Sequence, residues 1–363
     1  LLPPLPPAGP HTMLARPVLR PLRRRLVPAL APPRSPSALV STSPARRDTP
    51  VSFVSYLGGQ RGQTEVGVPH DKGRADGAAP VATEGGDAQT TAVPLTRAAY
   101  AGLTPTLRRF ALNDKVAVVS GAGRGLGFNM AQALAEVGVR GIAILDVQRD
   151  IGEEAARSLQ TQTGVDARFY GVDVRDAAGV RQTVEDVMGH FGALDVLINA
   201  AGIADSNIKA EHYDVEQFRR LLDINVTGTF ITAQACAARM RATQRGGSII
   251  NIASMSASIV NRPQEQSAYN ASKAAVVQLS RSLAAEWARH GVRVNTISPG
   301  YMDTALNRVP ALDAQKSVWI EHTPQKRLGA VYELNNLAVF LASDASSFMT
   351  GSDCVIDGGY TVW

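Results

Sequence analysis

The stretch "VAVVSGAGRGLG", residues 116–127, decides the fold of this chain. A short run rich in valine leads directly into a turn with four glycines, and a segment of helical period follows. Glycines let the backbone of such a turn come close to a pyrophosphate, and the amino end of the next helix offers free N–H groups and a partial positive charge. A dinucleotide is therefore the ligand that this stretch predicts, although tight strand-to-helix turns also use glycine for plain steric reasons.

Seven short apolar runs alternate with segments of helical period along the rest of the chain. Strands that are apolar on both faces, each followed by a helix, form a parallel sheet covered on both sides. The sequence therefore predicts an α/β fold, a doubly wound parallel sheet (Rossmann fold), as a single domain over residues 108–363. The predicted strands are 116–120, 142–146, 167–172, 195–199, 248–252, 292–297 and 354–357, and the predicted helices include 130–137, 153–162 and 180–191.

The front of the chain differs from the rest in composition. Residues 1–47 carry eight arginines and no acidic residue and are rich in serine and proline, which is typical of a mitochondrial transit peptide. A start at Met13 would place a basic, leucine-containing segment where a targeting helix belongs. A disordered basic tail on a cytoplasmic protein is the alternative. Residues 48–107 have low complexity and no regular period, so we expect a disordered linker there.

Charge and composition argue against several function classes. The net charge of the chain is +5, but the arginines of the leader exceed it, so the body is mildly acidic and nucleic-acid binding is not indicated. No run of about eighteen apolar residues occurs that could span a bilayer. Cys236 and Cys354 lie far apart without CxxC spacing. We therefore expect neither a disulfide framework nor a metal site.

The choice between NAD and NADP depends on two charged residues. Asp146 ends the second apolar run, about twenty residues beyond the glycine turn, where a carboxylate can accept hydrogen bonds from the adenosine ribose hydroxyls. The same carboxylate repels a 2′-phosphate. Arg124, inside the turn, can bind a 2′-phosphate instead, so NADP stays open. We expect NAD, because a carboxylate in contact with the phosphate costs more than a mobile arginine regains.

A tyrosine and a lysine lie four positions apart in "SAYNASKAAV", residues 267–276, which has the composition of a helix. In a helix, Tyr269 and Lys273 lie on one face, so the hydroxyl and the ammonium can contact the same ligand. A phenol is a poor base at neutral pH, and a neighbouring cation is expected to lower its pKa towards the working range. This is what an alcohol-to-carbonyl interconversion needs. Simple packing with a snorkelling amine is the alternative for such a pair.

Two further polar residues support the catalytic interpretation. Ser254 follows the fifth predicted strand in "NIASMS", where a hydroxyl can hydrogen-bond a substrate oxygen. Asn225 is an amide in an otherwise apolar helical stretch, and a buried amide needs partners and can hold a water. The alternative for Asn225 is a packing amide satisfied by backbone carbonyls.

These motifs resemble, in order, those of the short-chain dehydrogenase/reductase family, and the resemblance covers residues 112–363. It rests on "SGAGRGLG", "NAAG" (199–202), Asn225, Ser254, "YNASK" (269–273) and "SPGYMDT" (298–304). It implies an NAD(P)-dependent enzyme acting on CH–OH groups, with Tyr269 as the catalytic acid/base and Lys273 lowering its pKa and binding the nicotinamide ribose. By the same resemblance Ser254 orients the substrate oxygen and Asn225 holds a water of the proton relay.

The resemblance also implies a set of cofactor contacts. Asp173 is expected at the edge of the adenine ring, Asn199 steadies the sheet beside the cofactor, and Thr304 contacts the carboxamide or the phosphates. Two positions depart from the family pattern, since Ser120 stands where Thr is usual and Ala200 where a second Asn is usual. The expected cofactor-binding residues are Gly121, Arg124, Gly125, Leu126, Gly127, Asp146, Asp173, Val174, Asn199, Ala200, Tyr269, Lys273, Pro299, Gly300, Met302 and Thr304.

Within the family, the segment from Ser254 to Tyr269 and the terminal "DGGYTVW" resemble the fungal polyol branch, which includes arabinitol, mannitol and sorbose enzymes. Ser256 competes with Ser254 for the serine role because its shorter gap to the tyrosine is commoner in the family. In the polyol branch the first serine serves, which favours Ser254. Together with Asp146, this resemblance implies the NAD-linked oxidation of D-arabinitol to D-ribulose.

Several polar side chains between the serine and the tyrosine agree with a polyhydroxylated substrate, since unpaired buried polar groups would cost about 1–3 kcal/mol each with an apolar one. Ser256, Asn261 and Gln264 are the candidates, although such side chains can simply face water in a loop. The alternatives are a mannitol/fructose or sorbose reductase that uses NADPH, a 3-oxoacyl thioester reductase, and a dinucleotide-sensing protein without catalysis. A homo-oligomer, tetramer or dimer, is expected through residues 214–241 and 267–290.

Overall fold

A seven-stranded parallel sheet forms the centre of the part of the chain that the structure describes. The computed structural model describes residues 94–308 and 310–363; the predicted leader at 1–47 and the linker up to residue 93 lie outside them. The strands are β1 (Val116–Ser120), β2 (Gly141–Asp146), β3 (Asp166–Gly171), β4 (Val196–Asn199), β5 (Gly247–Ile252), β6 (Val292–Pro299) and β7 (Asp353–Ile356). Their order is β3-β2-β1-β4-β5-β6-β7 and every neighbouring pair is parallel. The predicted strands and the doubly wound sheet are confirmed.

Helices cover both faces of this sheet. The α-helices of the described residues are α1 (Arg97–Gly102), α2 (Pro105–Arg108), α3 (Gly125–Glu136), α4 (Arg149–Thr163), α5 (Ala177–Phe191), α6 (Val215–Leu222), α7 (Thr229–Ala242), α8 (Ser267–Trp287), α9 (Asp313–His322) and α10 (Asn335–Ala342). The three predicted helical segments are confirmed as α3, α4 and α5. Within the described part of the chain, no helix has the length and apolar character needed to cross a membrane.

Two apolar cores lie on opposite sides of the sheet. Successive residues of a strand point to opposite faces, and β1 shows this directly. Ala117 and Val119 pack into the core that contains buried residues of α3, α4 and α10. Val116 and Val118 pack into the core that contains buried residues of α5, α7 and α8. All five residues of β1 are buried, which explains why its first four residues are all apolar instead of alternating with polar ones.

The ends of α5 show how local sequence sets the helix boundaries. The Asp176 side chain accepts hydrogen bonds from the backbone N–H groups of Ala178 and Gly179, both at 3.0 Å, and so caps the first turn. Gly192 ends the helix in the left-handed conformation, with φ of 70°. The helix is therefore held between β3 and β4 with its apolar face on the sheet.

Short helices occur in the last part of the segment that we assigned to the linker. Thr96 and Thr104 cap α1 and α2 through their side-chain oxygens. The backbone N–H of Leu95 donates to the Glu136 carbonyl at the end of α3, at 3.2 Å. The described part of the linker is therefore helical, because threonine caps and a proline at the first position of α2 supply start signals that composition alone does not show.

The strand order reverses between β1 and β4, and this point places the candidate site. In doubly wound sheets the crevice for a ligand lies outside the carboxyl ends of the strands at such a switch. The register brings Ser120, Asn199 and Asn251 side by side across β1, β4 and β5. Hydrogen bonds join Ser120 Oγ to Asn199 Oδ1 at 3.3 Å and Asn199 Nδ2 to Asn251 Oδ1 at 2.9 Å. This buried polar row holds the three strand ends together below the crevice.

Candidate active site

The glycine turn after β1 is compact because its backbone contacts the neighbouring segments closely. Gly121 has φ of +64°, and a Cβ there would lie 2.6 Å from the Cα of Ala201. A Cβ at Gly127 would lie 2.5 Å from the Gly121 carbonyl oxygen. Gly125 also has a positive φ, of +63°, but no heavy atom lies within 4 Å of the Cβ position. Gly121 and Gly127 therefore serve packing, whereas Gly125 leaves open space at the amino end of α3.

Asp146 lies at the end of β2, directly beside this turn. Its Oδ2 accepts a hydrogen bond from the backbone N–H of Gly123 at 3.1 Å, and its Oδ1 accepts one from Gln148 N at 3.0 Å. A Cβ at Gly123 would lie 2.9 Å from Asp146 Oδ2. Gly123 is thus a site residue that we did not single out from the sequence, although it lies inside the quoted motif. Arg124 is exposed and occupies the position before the first residue of α3, where its side chain makes no capping hydrogen bond to the helix.

These residues fit a dinucleotide. The open Cβ position at Gly125 leaves room for phosphate oxygens, and the uncapped amino end of α3 leaves N–H groups to bind them. The carboxylate of Asp146 is positioned at the end of the neighbouring strand, where ribose hydroxyls can donate to it. Leu126, partly buried against the core, fixes the first turn of α3.

Lys273 lies one helical turn after Tyr269 on α8, as predicted. The Lys273 side chain is only 7% exposed, and its Nζ donates to the Ile252 carbonyl at the end of β5 at 2.8 Å. Burial disfavours the charged ammonium and lowers the pKa of Lys273 to about 8. A Cβ at Gly202, in the loop after β4, would lie 3.6 Å from this Nζ. Lysine, β4 loop and β5 therefore meet at one point of the crevice.

The pKa of Tyr269 moves in the direction opposite to our prediction from the sequence. Burial raises this pKa, and the hydrogen bond with Ser254 partly counteracts the increase. Lys273 Nζ lies 5.6 Å from the centroid of the Tyr269 ring and is directed to the Ile252 carbonyl. The net shift of the Tyr269 pKa is therefore upward because burial is its largest cause, and the lowering of this pKa by Lys273 stays a prediction.

Asn225 lies in a π-helical turn, Asp223–Gly228, between α6 and α7. Its Oδ1 accepts from the backbone N–H of Ile203 at 2.9 Å, and its Nδ2 donates to the Ile203 carbonyl at 2.9 Å and to Ser272 Oγ at 3.0 Å. The amide thus ties the loop after β4 to α8. These contacts correspond to the packing alternative that we stated for Asn225, and its role in holding a water stays a prediction.

Two serines follow β5 and contact each other. Ser254 Oγ accepts from the backbone N–H of Ser256 at 3.1 Å, and the two hydroxyl oxygens are hydrogen-bonded at 3.0 Å. Of the two, Ser254 is the one whose hydrogen bond affects the pKa of Tyr269. Ser254 is therefore the serine that contacts the tyrosine, and Ser256 contacts Ser254.

The polar residues that we predicted at the substrate side surround a tyrosine that the sequence did not reveal. Asn261 Nδ2 donates to the Tyr301 hydroxyl at 3.0 Å, and that hydroxyl donates to Gln264 Oε1 at 2.6 Å. The Tyr301 ring stacks on Trp319 of α9, with ring centroids 4.2 Å apart. Asn261 is 4% exposed, so its role is to hold the Tyr301 hydroxyl in place. Gln264 is partly exposed and can therefore contact a ligand. Tyr301 belongs to the quoted motif "SPGYMDT", but nothing local marks it as a partner of residues about forty positions earlier.

The other predicted cofactor residues lie around the same edge of the sheet. The Asp173 carboxylate forms an ion pair with Arg175, which lowers the pKa of Asp173. The Val174 side chain packs against Gly228, where a Cβ would lie 2.6 Å from it. The Ala200 backbone N–H donates to the Ser120 carbonyl at 3.1 Å. Pro299 is the last residue of β6, and Gly300, Met302 and Thr304 follow it.

This arrangement can move a proton at a substrate oxygen. The hydrogen bond between Ser254 and Tyr269 brings two hydroxyls together near the carboxyl end of β5, and Lys273 Nζ lies 5.6 Å from the centroid of the tyrosine ring. A dinucleotide at the glycine turn would lie along the same edge of the sheet. Among the described residues, no group of three or more His, Cys, Asp or Glu side chains could hold a metal ion.

The chain is similar to known proteins over this whole unit. A family model described as Enoyl-(Acyl carrier protein) reductase matches residues 121–361. Galactitol 2-dehydrogenase of Rhizobium johnstonii is 39% identical over 259 residues, which cover 70% of this chain and 98% of that protein. Sorbose reductase of Schizosaccharomyces pombe is 39% identical over 252 residues, or 69% of this chain and 97% of that protein. D-arabinitol 2-dehydrogenase (ribulose-forming) of Candida tropicalis is 36% identical over 280 residues, which cover 73% and 97%.

Solved structures of similar sequence share the fold. A gluconate 5-dehydrogenase from Burkholderia cenocepacia in complex with NADP and tartrate has a TM-score of 0.66 and 36% identity, and the match covers 70% of this chain and 98% of that one. An NAD⁺-bound xylitol dehydrogenase has a TM-score of 0.64 and 36% identity, with 68% and 99% covered. Both kinds of nicotinamide dinucleotide therefore occur among the structural relatives.

Proposed function

Since the chain belongs to the short-chain dehydrogenase/reductase family and is an NAD(P)-dependent oxidoreductase of alcohol groups, we propose that it interconverts a sugar alcohol and the corresponding ketose. D-arabinitol and D-ribulose are the first pair to test. The observation that carries this proposal is the convergence of Ser254, Tyr269 and Lys273 beside a wall of hydrogen-bonding side chains.

The chain's own residues move the proton in this proposal. A bound nicotinamide supplies or accepts the hydride. Ser254 donates a hydrogen bond to the substrate oxygen, and Tyr269 transfers the proton at the same oxygen. Lys273, held on the Ile252 carbonyl, places a cation near the phenol and contributes a donor for the cofactor ribose.

The raised pKa of Tyr269 gives the reaction a pH dependence. Because burial raises this pKa, the phenol is protonated at neutral pH and is ready to donate a proton to a carbonyl oxygen. Oxidation of an alcohol needs the phenolate, which becomes more populated as the pH rises. We therefore expect kcat/KM for oxidation to increase as the pH rises above neutral, while reduction is favoured near neutral pH.

NAD is the preferred cofactor in this proposal. The Asp146 carboxylate is fixed by the backbone N–H groups of Gly123 and Gln148, so it cannot move away from a 2′-phosphate without losing both hydrogen bonds. Arg124 is exposed and free of a helix-capping contact, and it supports NADP only through a mobile side chain. The repulsion of a 2′-phosphate by the fixed Asp146 carboxylate therefore exceeds its attraction to the mobile Arg124 guanidinium.

The polyol assignment is supported by the polar wall and by the relatives. The partly exposed Gln264 and the Tyr301 hydroxyl offer hydrogen-bonding groups near the reacting oxygen. A polyhydroxylated chain can form additional hydrogen bonds with these groups, whereas an acyl chain offers them no hydrogen-bond partner. The compared relatives named as galactitol, sorbose and arabinitol enzymes act on substrates of this class.

A substrate panel tests the proposal. The full chain is assayed by NAD(P)H absorbance with D-arabinitol, mannitol, galactitol and xylitol, with the matching ketoses, and with a 3-oxoacyl thioester, each with both cofactors. The proposal predicts the highest kcat/KM for a polyol or ketose pair with NAD(H). A preference for the thioester with NADPH contradicts it, and cofactor binding without turnover of any alcohol or carbonyl assigns the chain to a sensing role.

We also propose that residues 1–47, which lie outside the described residues, direct the protein to the mitochondrial matrix. Their eight arginines without an acidic residue support this proposal. Fusing residues 1–60 to a fluorescent protein should place it in mitochondria, and a version with the arginines replaced by glutamine should stay in the cytosol. Cytosolic fluorescence of the unaltered fusion contradicts the proposal.

A further inference from the structure

We propose that Tyr301 and Gln264 together bind one further hydroxyl of the substrate, within two carbons of the reacting carbon. Tyr301 accepts a hydrogen bond from this hydroxyl, and Gln264 donates one to its oxygen. The inference rests on the proposed alcohol chemistry at Ser254 and Tyr269, and it names the substrate group that these two residues recognise.

Tyr301 lies close to the reacting groups. It follows the end of β6, the strand next to β5, and both Tyr301 and Gln264 are partly exposed. Burial is the largest cause that raises the pKa of Tyr301, and the charge of Tyr269 is one of the smaller causes. The two phenols are therefore within electrostatic reach of each other, and Tyr301 can contact a substrate whose oxygen lies at Tyr269.

The ring of Tyr301 is held between two other aromatic rings. Trp319 of α9 is stacked on it, with centroids 4.2 Å apart and an angle of 7° between the planes. Tyr360 packs against it edge-on, with centroids 5.2 Å apart. The Tyr360 hydroxyl donates to the Arg262 carbonyl at 3.4 Å, so its proton is not offered to Tyr301. A hydroxyl on a ring held in this way has a fixed position and is ready to bind a ligand group.

The hydrogen bonds of Tyr301 leave it as an acceptor. Asn261 Nδ2 donates to its hydroxyl at 3.0 Å, and the hydroxyl donates its proton to Gln264 Oε1 at 2.6 Å. A separation of 2.6 Å is typical of O–H···O and shorter than that of most N–H···O bonds, which agrees with the oxygen of the Gln264 amide facing the phenol. With its proton in use, the Tyr301 oxygen can only accept a further hydrogen bond.

Gln264 supplies the matching donor. Its Oε1 is used by Tyr301, whereas its Nε2 makes no hydrogen bond with any residue that the structure describes. An acceptor on Tyr301 and a donor on Gln264 therefore lie side by side. Of the groups that an alcohol or acyl substrate carries, only a hydroxyl donates to the first and accepts from the second. A carbonyl or thioester oxygen leaves Tyr301 without a donor, and a methyl group satisfies neither residue.

Removing the Tyr301 hydroxyl should weaken binding of this one substrate group. Tyr301→Phe keeps the ring and its stacking on Trp319 but removes the acceptor. For an alcohol with a second hydroxyl we expect KM to rise about three- to tenfold, the loss typical of one hydrogen bond. The bond is present in the ground state and in the transition state, so kcat should stay within about twofold. An alcohol without the second hydroxyl should show neither change.

The experiment compares alcohols that differ by one hydroxyl. The full-length parent, Tyr301→Phe and Gln264→Leu are assayed with NAD on 2,3-butanediol against 2-butanol and on 2,4-pentanediol against 2-pentanol. Where turnover is too slow, inhibition constants against the fastest substrate of the parent give the same comparison. Tyr332→Phe, at an exposed position, is the matched control for the loss of a phenol hydroxyl and should leave all values unchanged.

We expect the ratio of kcat/KM for the diol over the mono-alcohol to fall about three- to tenfold in Tyr301→Phe for at least one pair, with unchanged dinucleotide affinity. Gln264→Leu should lower the same ratio. An unchanged ratio in both pairs, or equal losses for diol and mono-alcohol, overturns the inference. If Tyr301→Phe does not fold, Gln264→Leu decides by the same criterion.

The outcome is separable from that of the substrate panel. A parent that prefers a non-polyol alcohol contradicts the proposed substrate. The diol ratio of the parent and of Tyr301→Phe still supports or overturns the role of Tyr301 and Gln264 in that case, because it compares one hydroxyl and not whole substrates.

Discussion

Replacing Lys273 by methionine is expected to stabilise the dinucleotide-free protein near neutral pH while abolishing its activity. The ammonium is 7% exposed, and burial lowers its pKa from 10.5 to about 8. Below about pH 8 the folded and unfolded chains both bind the proton, so the folded state carries the full cost of the buried charge. Methionine has a similar length and no charge.

The shift sets the size of the effect. A lowering of about 2.5 pKa units corresponds to about 3 kcal/mol at pH 7. Losing the hydrogen bond from Nζ to the Ile252 carbonyl subtracts about 1 kcal/mol. Lys273→Met should therefore raise the free energy of unfolding by about 2 kcal/mol at pH 7. Between about pH 8 and 10.5 the unfolded chain binds a proton that the folded chain does not, so the parent gains stability as the pH rises and the advantage of the variant shrinks.

Urea unfolding, followed by tryptophan fluorescence at a fixed protein concentration, measures this difference. Between about pH 7 and 9.5 the advantage of Lys273→Met should fall by about 2 kcal/mol, a change that does not depend on the lost hydrogen bond. Lys209→Met, at an exposed position, is the control and should show no such dependence. A difference between Lys273→Met and the parent that is the same at both pH values would refute the assignment of a buried, pKa-shifted ammonium.

Three further predictions concern the glycine turn, the cofactor and the assembly. Gly125→Ala meets only the strain of its positive φ, with open space at Cβ, and should cost about 1–2 kcal/mol of stability. Gly121→Ala, whose Cβ would lie 2.6 Å from backbone atoms, should cost clearly more in the same thermal unfolding assay; equal losses would contradict the packing role. Asp146→Ser should raise the ratio of kcat/KM for NADP over NAD at least about tenfold by removing the fixed carboxylate, and an unchanged ratio would rule out its role in cofactor choice. Light scattering with size-exclusion chromatography should show a homo-oligomer. A polar substitution on the exposed faces of residues 214–241 and 267–290 should dissociate this oligomer. A monomeric parent protein would contradict the predicted assembly.

The parts of the structure that follow from local sequence could be predicted. The central strands are marked by apolar runs, because they are buried on both faces between two helix layers, whereas the edge strands β3 and β7 are partly exposed. The Tyr269 and Lys273 pair follows from helical spacing alone, and the turn at Gly121 follows from its glycines. Asp146 follows from its position at the end of a strand next to that turn.

The remaining features depend on contacts between distant residues. Tyr301 becomes a site residue only because Asn261 and Gln264 reach its hydroxyl from another loop, and no spacing rule connects them. The upward direction of the Tyr269 pKa shift comes from burial in the folded protein, and the fold directs the Lys273 ammonium to the Ile252 carbonyl, at 2.8 Å. Helical spacing shows that Tyr269 and Lys273 are close, but burial and hydrogen-bond partners determine the pKa of the tyrosine.

Proton transfer by Tyr269 is the central claim, and Tyr269→Phe tests it most directly. The variant removes only the hydroxyl, so dinucleotide affinity, measured by fluorescence titration, should stay close to that of the parent. With that binding established, turnover of the best polyol should fall about 10²–10⁴-fold, the range typical of a lost acid/base group. Turnover as fast as that of the parent, with the dinucleotide bound, would contradict the account.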